Sequence, residues 1–161
     1  MRRAWVLAVL LAVVAAPMGA ATGQARTSWY APLSGDEAVP RVNTRGTGSA
    51  SFELASGGNA LRYFLSVDNI QNVQMAHIHI GAAGANGPVA VWLYPPAPQA
   101  RLISGTVSDM IGDGTITTAN FTGPLAGQQF SALINALNNG QAYVNVHTNQ
   151  FPGVEIRGQI R

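Results

Sequence analysis

The stretch Met75-Ala76-His77-Ile78-His79-Ile80 decides how this chain is read. Its side chains alternate with a period of two, the period of a β-strand. Met75, His77 and His79 therefore share one face, and Ala76, Ile78 and Ile80 share the other. Ala142-Tyr143-Val144-Asn145-Val146-His147 repeats the pattern, with Tyr143, Asn145 and His147 opposite Val144 and Val146. These two segments hold all 3 histidines of the chain. If the strands are neighbours, three imidazoles lie on one polar sheet face, a donor set suited to a transition metal. The alternation fixes the faces; the adjacency is an expectation.

Working outward, short alternating runs are punctuated by glycine, proline and asparagine, the pattern of an antiparallel β protein. Strands are expected at 27–33, 46–54 and 60–67, the last two joined by the hairpin connection Ser56-Gly57-Gly58-Asn59. More follow at 75–80, 89–94 and 102–107, and Pro95-Pro96-Ala97-Pro98 stops the fifth of these six. Two last strands, 143–148 and 154–160, flank Asn149-Gln150-Phe151-Pro152-Gly153. One segment changes period: Phe130, Leu133, Ile134 and Leu137 fall at i, i+3, i+4 and i+7. This predicts a short amphipathic helix over about 127–138, ended by Asn138-Asn139-Gly140. The sum is an all-β sandwich with one inserted helix.

The start of the chain reads differently. Met1-Arg2-Arg3 precedes an apolar run, Trp5 to Ala16, and then small residues through Ala25. That is the layout of a secretory signal peptide occupying 1–25, with the domain at 26–161. The apolar run is shorter than the ~20 residues a membrane span needs, so no span is expected after cleavage. Without Arg2 and Arg3, 7 of the 9 basic residues remain, all arginine, against 7 acidic ones. The cleaved chain is near neutral and carries no basic run, which removes support for nucleic-acid binding. With 0 cysteines there are no disulfides and no thiolate ligands. The chain is expected in a secreted, periplasmic or cell-surface location.

The histidines carry the candidate chemistry. Two histidines two apart on a strand project the same way and can bind one ion. His77, His79 and His147 are the candidate ligands for copper or zinc. The last strand places Glu155, Arg157 and Gln159 on one face, near His147 and Asn145 if the two strands form a hairpin. Glu155 is then a fourth ligand or outer partner, with Asn145 and Arg157 around it. The competing reading is a polar face in which Glu155 and Arg157 form cross-strand ion pairs. Nucleophilic catalysis has no support: there is no cysteine and no Gly-x-Ser-x-Gly elbow. Gly81 to Gly87 joins two strands and lacks a following lysine, so it reads as a wide turn and not as a phosphate loop. Asp109 and Asp113 lack the spacing of a calcium loop.

Several motifs taken together resemble the CHRD domain, a module named after chordin and widespread in secreted bacterial proteins. They are Leu33-Ser-Gly-Asp-Glu-Ala-Val-Pro40, Gly46-Thr-Gly-Ser-Ala-Ser-Phe52, Ala76-His77-Ile-His79-Ile-Gly81 leading into Gly87-Pro88-Val89, and Tyr143-Val-Asn145-Val-His147-Thr148 leading into Glu155-Ile-Arg157-Gly158-Gln159. They run through the whole cleaved chain in the family's order; Val154 stands where the family commonly has a second glycine. The resemblance implies a Greek-key antiparallel β-sandwich. The His-x-His strand is also similar to the copper strand of Cu/Zn superoxide dismutase, which would match His77, His79 and His147 to three copper-side histidines. That enzyme's bridging histidine, zinc side and cysteine bridge have no counterpart, so a dinuclear dismutase is not implied.

The reading is a secreted binding module with a mononuclear copper or zinc held by three histidines, a role favoured over catalysis. Its partner would be an extracellular protein or polysaccharide. Two alternatives stay open: a copper-dependent redox enzyme of dismutase type, and a structural or adhesive module without metal.

Overall fold

The computed structural model describes residues 26–161, so the expected signal peptide at 1–25 lies outside the described residues. Seven strands and one α-helix follow in order: β1 (Ser28–Ser34), β2 (Thr47–Leu54), β3 (Leu61–Ile80), β4 (Val89–Tyr94), β5 (Ile103–Ile116), α1 (Phe130–Asn138), β6 (Ala142–Thr148) and β7 (Ile156–Gln159). Every strand pairing is antiparallel.

The expected sandwich of two sheets is corrected to a closed barrel. β2 pairs with β1, β1 with β7, β7 with β6, β6 with β3, and β3 returns to β2. Five strands thus form a ring, and β4 and β5 pair with β3 outside it. The cause is the length of β3. Its first half, from Leu61 to Asp68, pairs with β2, and its second half, from Val73 to Ile80, pairs with β6. A single strand serves both layers. The thin point is β1 against β7, a single ladder pair, Ser34 with Arg157. The reciprocal backbone bonds of Tyr30 and Arg161, 2.8 and 2.9 Å, reinforce it.

The sequence predicts a break where β3 continues. Asp68-Asn69-Ile70-Gln71-Asn72 looks like a turn, yet it is a bulged bend inside the strand, with register shifts on both sides of Ile70. Asn69 and Asn72 take φ of 50° and 54°, a region asparagine tolerates better than most residues. The bend is satisfied locally: the Asn69 N–H donates to the Ser108 hydroxyl, and the Gly105 N–H donates to Asn72 Oδ1. Ile70 and Val73 are fully buried and hold the bend against the core.

β5 is also longer than the expected 102–107. In the part of β5 beyond 107, Gly112 and Gly114 give room to Tyr63. A Cβ at Gly114 would lie 3.2 Å from the Tyr63 ring, and the Tyr63 hydroxyl donates to the Leu93 carbonyl at 2.8 Å. α1 begins three residues later than the start expected for 127–138 and packs Phe130, Leu133 and Leu137 into the core. It ends at Asn138; beyond it Gly140 takes φ 62°, and the Gly140 and Gln141 N–H groups cap the Leu137 and Ala136 carbonyls.

The core runs through the ring. Ala50, Phe52, Leu65, Ile78, Val144, Val146 and Ile156 are all fully buried in it. Along β6 every residue is buried, on both faces. Val144 and Val146 belong to the core; the opposite face, with Tyr143, Asn145 and His147, is a separate buried polar layer.

Candidate metal centre

Antiparallel pairing of β3 with β6 brings the histidines together. His79 lies opposite Tyr143, His77 opposite Asn145 and Met75 opposite His147. The three imidazoles thus occupy adjacent positions on one face, as the alternation predicts. One nitrogen from each can be chosen so that all lie within 4.8 Å of one another. His77 Nδ1 stands 3.2 Å from His147 Nε2. Two nitrogens bound tetrahedrally to one ion at ~2.0 Å would be roughly 3.3 Å apart; this pair, joined by the His77 proton when no ion is bound, stands at that spacing.

The expected polar face is dry: His77, His79 and His147 are 3 %, 8 % and 6 % exposed. The hydrogen bonds around them assign the tautomers. His79 Nδ1–H donates to the Gly87 carbonyl at 2.9 Å, and His147 Nδ1–H donates to the Pro152 carbonyl at 3.0 Å. Each leaves Nε2 unprotonated, with its lone pair turned toward the other rings. His147 Nε2 accepts from His77 Nδ1–H, whereas His77 Nε2 and His79 Nε2 are buried without a partner. Backbone carbonyls that hold Nδ1 and turn Nε2 inward are the outer-shell arrangement of histidine metal ligands.

Burial also keeps the rings uncharged. Desolvation, followed by the repulsion of His147 and His79, takes His77 down to about 3. Desolvation likewise lowers His79 and His147, against the opposing pull of their bonds to Gly87 and Pro152. A neutral imidazole is the form that ligates a metal.

The surroundings include residues that the sequence did not mark. Trp92 stands edge-on to His77 with ring centres 4.2 Å apart. Tyr143 stacks on His79 at 4.9 Å and 12°, and the Arg157 guanidinium lies 3.6 Å over the other ring partner of that stack, Tyr143. The Tyr143 hydroxyl accepts the Gly87 N–H at 2.8 Å and donates to the Gly87 carbonyl at 3.3 Å. It thereby fixes the carbonyl that orients His79. Tyr143 was legible as a face-mate of Asn145 and His147; Trp92 carried no signal, because its position depends on the β3–β4 pairing.

Other expected partners fall differently. Glu155, expected as a fourth ligand or outer partner, lies outside the group of three histidines that could share an ion. It sits in a bend just before β7, and its two oxygens accept from the Thr44 and Thr148 hydroxyls at 2.7 and 2.6 Å. The alternative cross-strand ion pairs of Glu155 and Arg157 are not formed among the described residues. Arg157 instead donates to the Ala82 and Ala85 carbonyls and fastens the 81–88 loop. Gln159 holds the same loop at Gly81. Asn145 lies beside His77, and its Oδ1 is buried without a partner.

A cavity of about 490 Å³ reaches this layer, lined by His79, Tyr143 and Asn145 together with Val42, Phe151 and Pro152 among others. Among the described residues, no helix is long and apolar enough to cross a membrane. Neither a comparison with curated proteins nor one with solved structures returned a match. A family model for the CHRD domain matches residues 29–160, from β1 to the end of β7 and one residue beyond, and the chain belongs to that family.

Proposed function

We propose that this CHRD domain is an exported binding module that holds one copper or zinc ion through His77, His79 and His147. The observation that carries the reading is the pair of committed tautomers. His79 and His147 each give Nδ1–H to a backbone carbonyl and turn Nε2 inward. A polar face built only for packing would give the buried ring nitrogens protein partners, yet His77 Nε2 and His79 Nε2 have none, and an unpaired buried polar atom costs about 1–3 kcal/mol. Imidazole donors favour copper and zinc over the harder cations. The signal-peptide layout of 1–25 supports export, and the extracellular occurrence of CHRD domains agrees with it.

Three protein ligands leave a coordination position for another group, as in sites where a metal meets an exogenous ligand. Such an ion supplies Lewis acidity and, if it is copper, one-electron chemistry. The cavity at His79 favours a second reading, a copper-dependent redox enzyme. It predicts turnover that chelation abolishes.

The test is metal content of the mature protein purified from its export compartment, beside a His77→Ala/His147→Ala double variant. Near-stoichiometric copper or zinc in the first, lost in the second, is the expected result. Metal-free protein that also refuses reconstitution would remove the reading and leave a structural or adhesive module.

A further inference from the structure

We infer that the histidine cluster selects copper in its monovalent state, Cu(I), over divalent zinc and divalent copper. The inference rests on the metal reading above and names the ion that this reading leaves open.

Charge decides between the candidates. The hydration energy an ion loses on burial scales with the square of its charge, so a divalent ion loses about four times as much as a monovalent one of similar size. Buried divalent ions are offset by carboxylates or thiolates, or they keep a bound water. The group of donors that could share an ion here holds three histidines and no Asp or Glu. The chain has 0 cysteines. Glu155, the buried acid of this region, accepts from the Thr44 and Thr148 hydroxyls.

The charge that does stand beside the cluster has the wrong sign for a dication. Arg157 is buried, and its guanidinium lies 3.6 Å over the Tyr143 ring, which stacks in turn on His79. It donates to the Ala82 and Ala85 carbonyls and, among the described residues, forms no salt bridge. Glu37, an acid whose charge acts on it, is exposed to solvent.

Water does not make up the difference. His77 Nε2 and His79 Nε2 are closed to solvent, and neither His77 nor His147 lines the cavity that reaches His79. Zinc held by three histidines completes its tetrahedron with water, and divalent copper prefers a tetragonal set of donors. Monovalent copper has the filled d shell of zinc and one charge fewer, and three neutral imidazoles satisfy it. Met75, directly across the ladder from His147, carries a thioether, a donor class that selects Cu(I).

The experiment loads mature protein with Cu(I) under anaerobic conditions, and separately with Zn(II) and Cu(II), each against a chelator of known affinity. One Cu(I) per chain, held at least about tenfold more tightly than either divalent ion, is the expected result. Asn145→Asp sets a carboxylate directly opposite His77 with little change of shape. It should cut the preference for Cu(I) over Zn(II) by about tenfold or more. Its copper reduction potential should fall by ~59 mV for each tenfold lost against Cu(II). The ranking in the unaltered protein tests the inference whether or not this variant folds. Zn(II) or Cu(II) held as tightly as Cu(I) overturns this inference alone, and so does an unchanged preference in folded Asn145→Asp. Failure to take up any of the three ions removes the metal reading and this inference with it.

Discussion

Two buried polar clusters meet at β6, and they differ in how their atoms are satisfied. At Glu155 each carboxylate oxygen has a threonine hydroxyl, Thr44 on one side and Thr148 on the other. Around the histidines, His77 Nε2, His79 Nε2, Asn145 Oδ1, Arg157 Nη1 and Gln159 Oε1 are all buried without partners. Both clusters are shielded from water to a similar degree. A closed network of polar groups serves the fold; an open one lowers stability and persists where something else completes it. The contrast supports the proposal above, in which Glu155 belongs to the architecture and the histidine layer binds.

The largest expected effect that sharpens this contrast is acid sensitivity of the metal-free protein. An unfolded chain protonates its histidines near 6.5, whereas native His77 does so only near 3, and His79 and His147 are also lowered. Between those values the unfolded state binds more protons, so stability rises with pH across the window. It is complete above about 6.5 and declines as pH falls, by up to ~1.4 kcal/mol per pH unit for each histidine held neutral. Urea unfolding of metal-free protein at pH 7, 6 and 5 measures this. A His77→Leu/His79→Leu/His147→Leu variant should lose most of the slope. An equal slope in that variant would place the acid sensitivity outside the layer.

Next in size is Glu155→Leu. It strands two threonine hydroxyls and removes the cross-tie between the Thr44 segment and β6, and should cost roughly 2–4 kcal/mol. Metal uptake should remain near one ion per chain. Loss of metal with retained stability would invert the assignment of the two clusters.

The contrast also marks what the sequence made legible. Period-two alternation located the strands and placed His77, His79 and His147 on one face, because both are local properties of an extended backbone. The ring was not legible. It depends on β3 running through Asp68-Asn69-Ile70-Gln71-Asn72, and polar residues that bulge a strand look like residues that end one. The partners of Glu155 were not legible either: alternation puts it on the face of Arg157, but the hydroxyls its carboxylate accepts from depend on where Thr44, distant in sequence, and the end of β6 come to lie. Burial of the polar face was hidden too, since loops from distant parts of the chain cover it.

The smallest predicted effect tests whether those loops do more than cover. In Tyr143→Phe the ring still fits between His79 and Arg157, so the stack survives. What disappears is the hydroxyl that accepts the Gly87 N–H and donates to the Gly87 carbonyl. That carbonyl alone accepts Nδ1–H from His79 and thereby turns Nε2 inward. Metal-free stability should fall by only about 1 kcal/mol, while metal affinity should drop by ~10–100-fold, the usual consequence of losing an outer partner of a histidine ligand. Competition against a chelator of known affinity reads the second quantity, and urea unfolding reads the first. An affinity that moves no more than the stability would mean that Arg157 and Gln159, through Ala82, Ala85 and Gly81, already hold the loop in register. The hydroxyl would then belong with Glu155, as part of the fold.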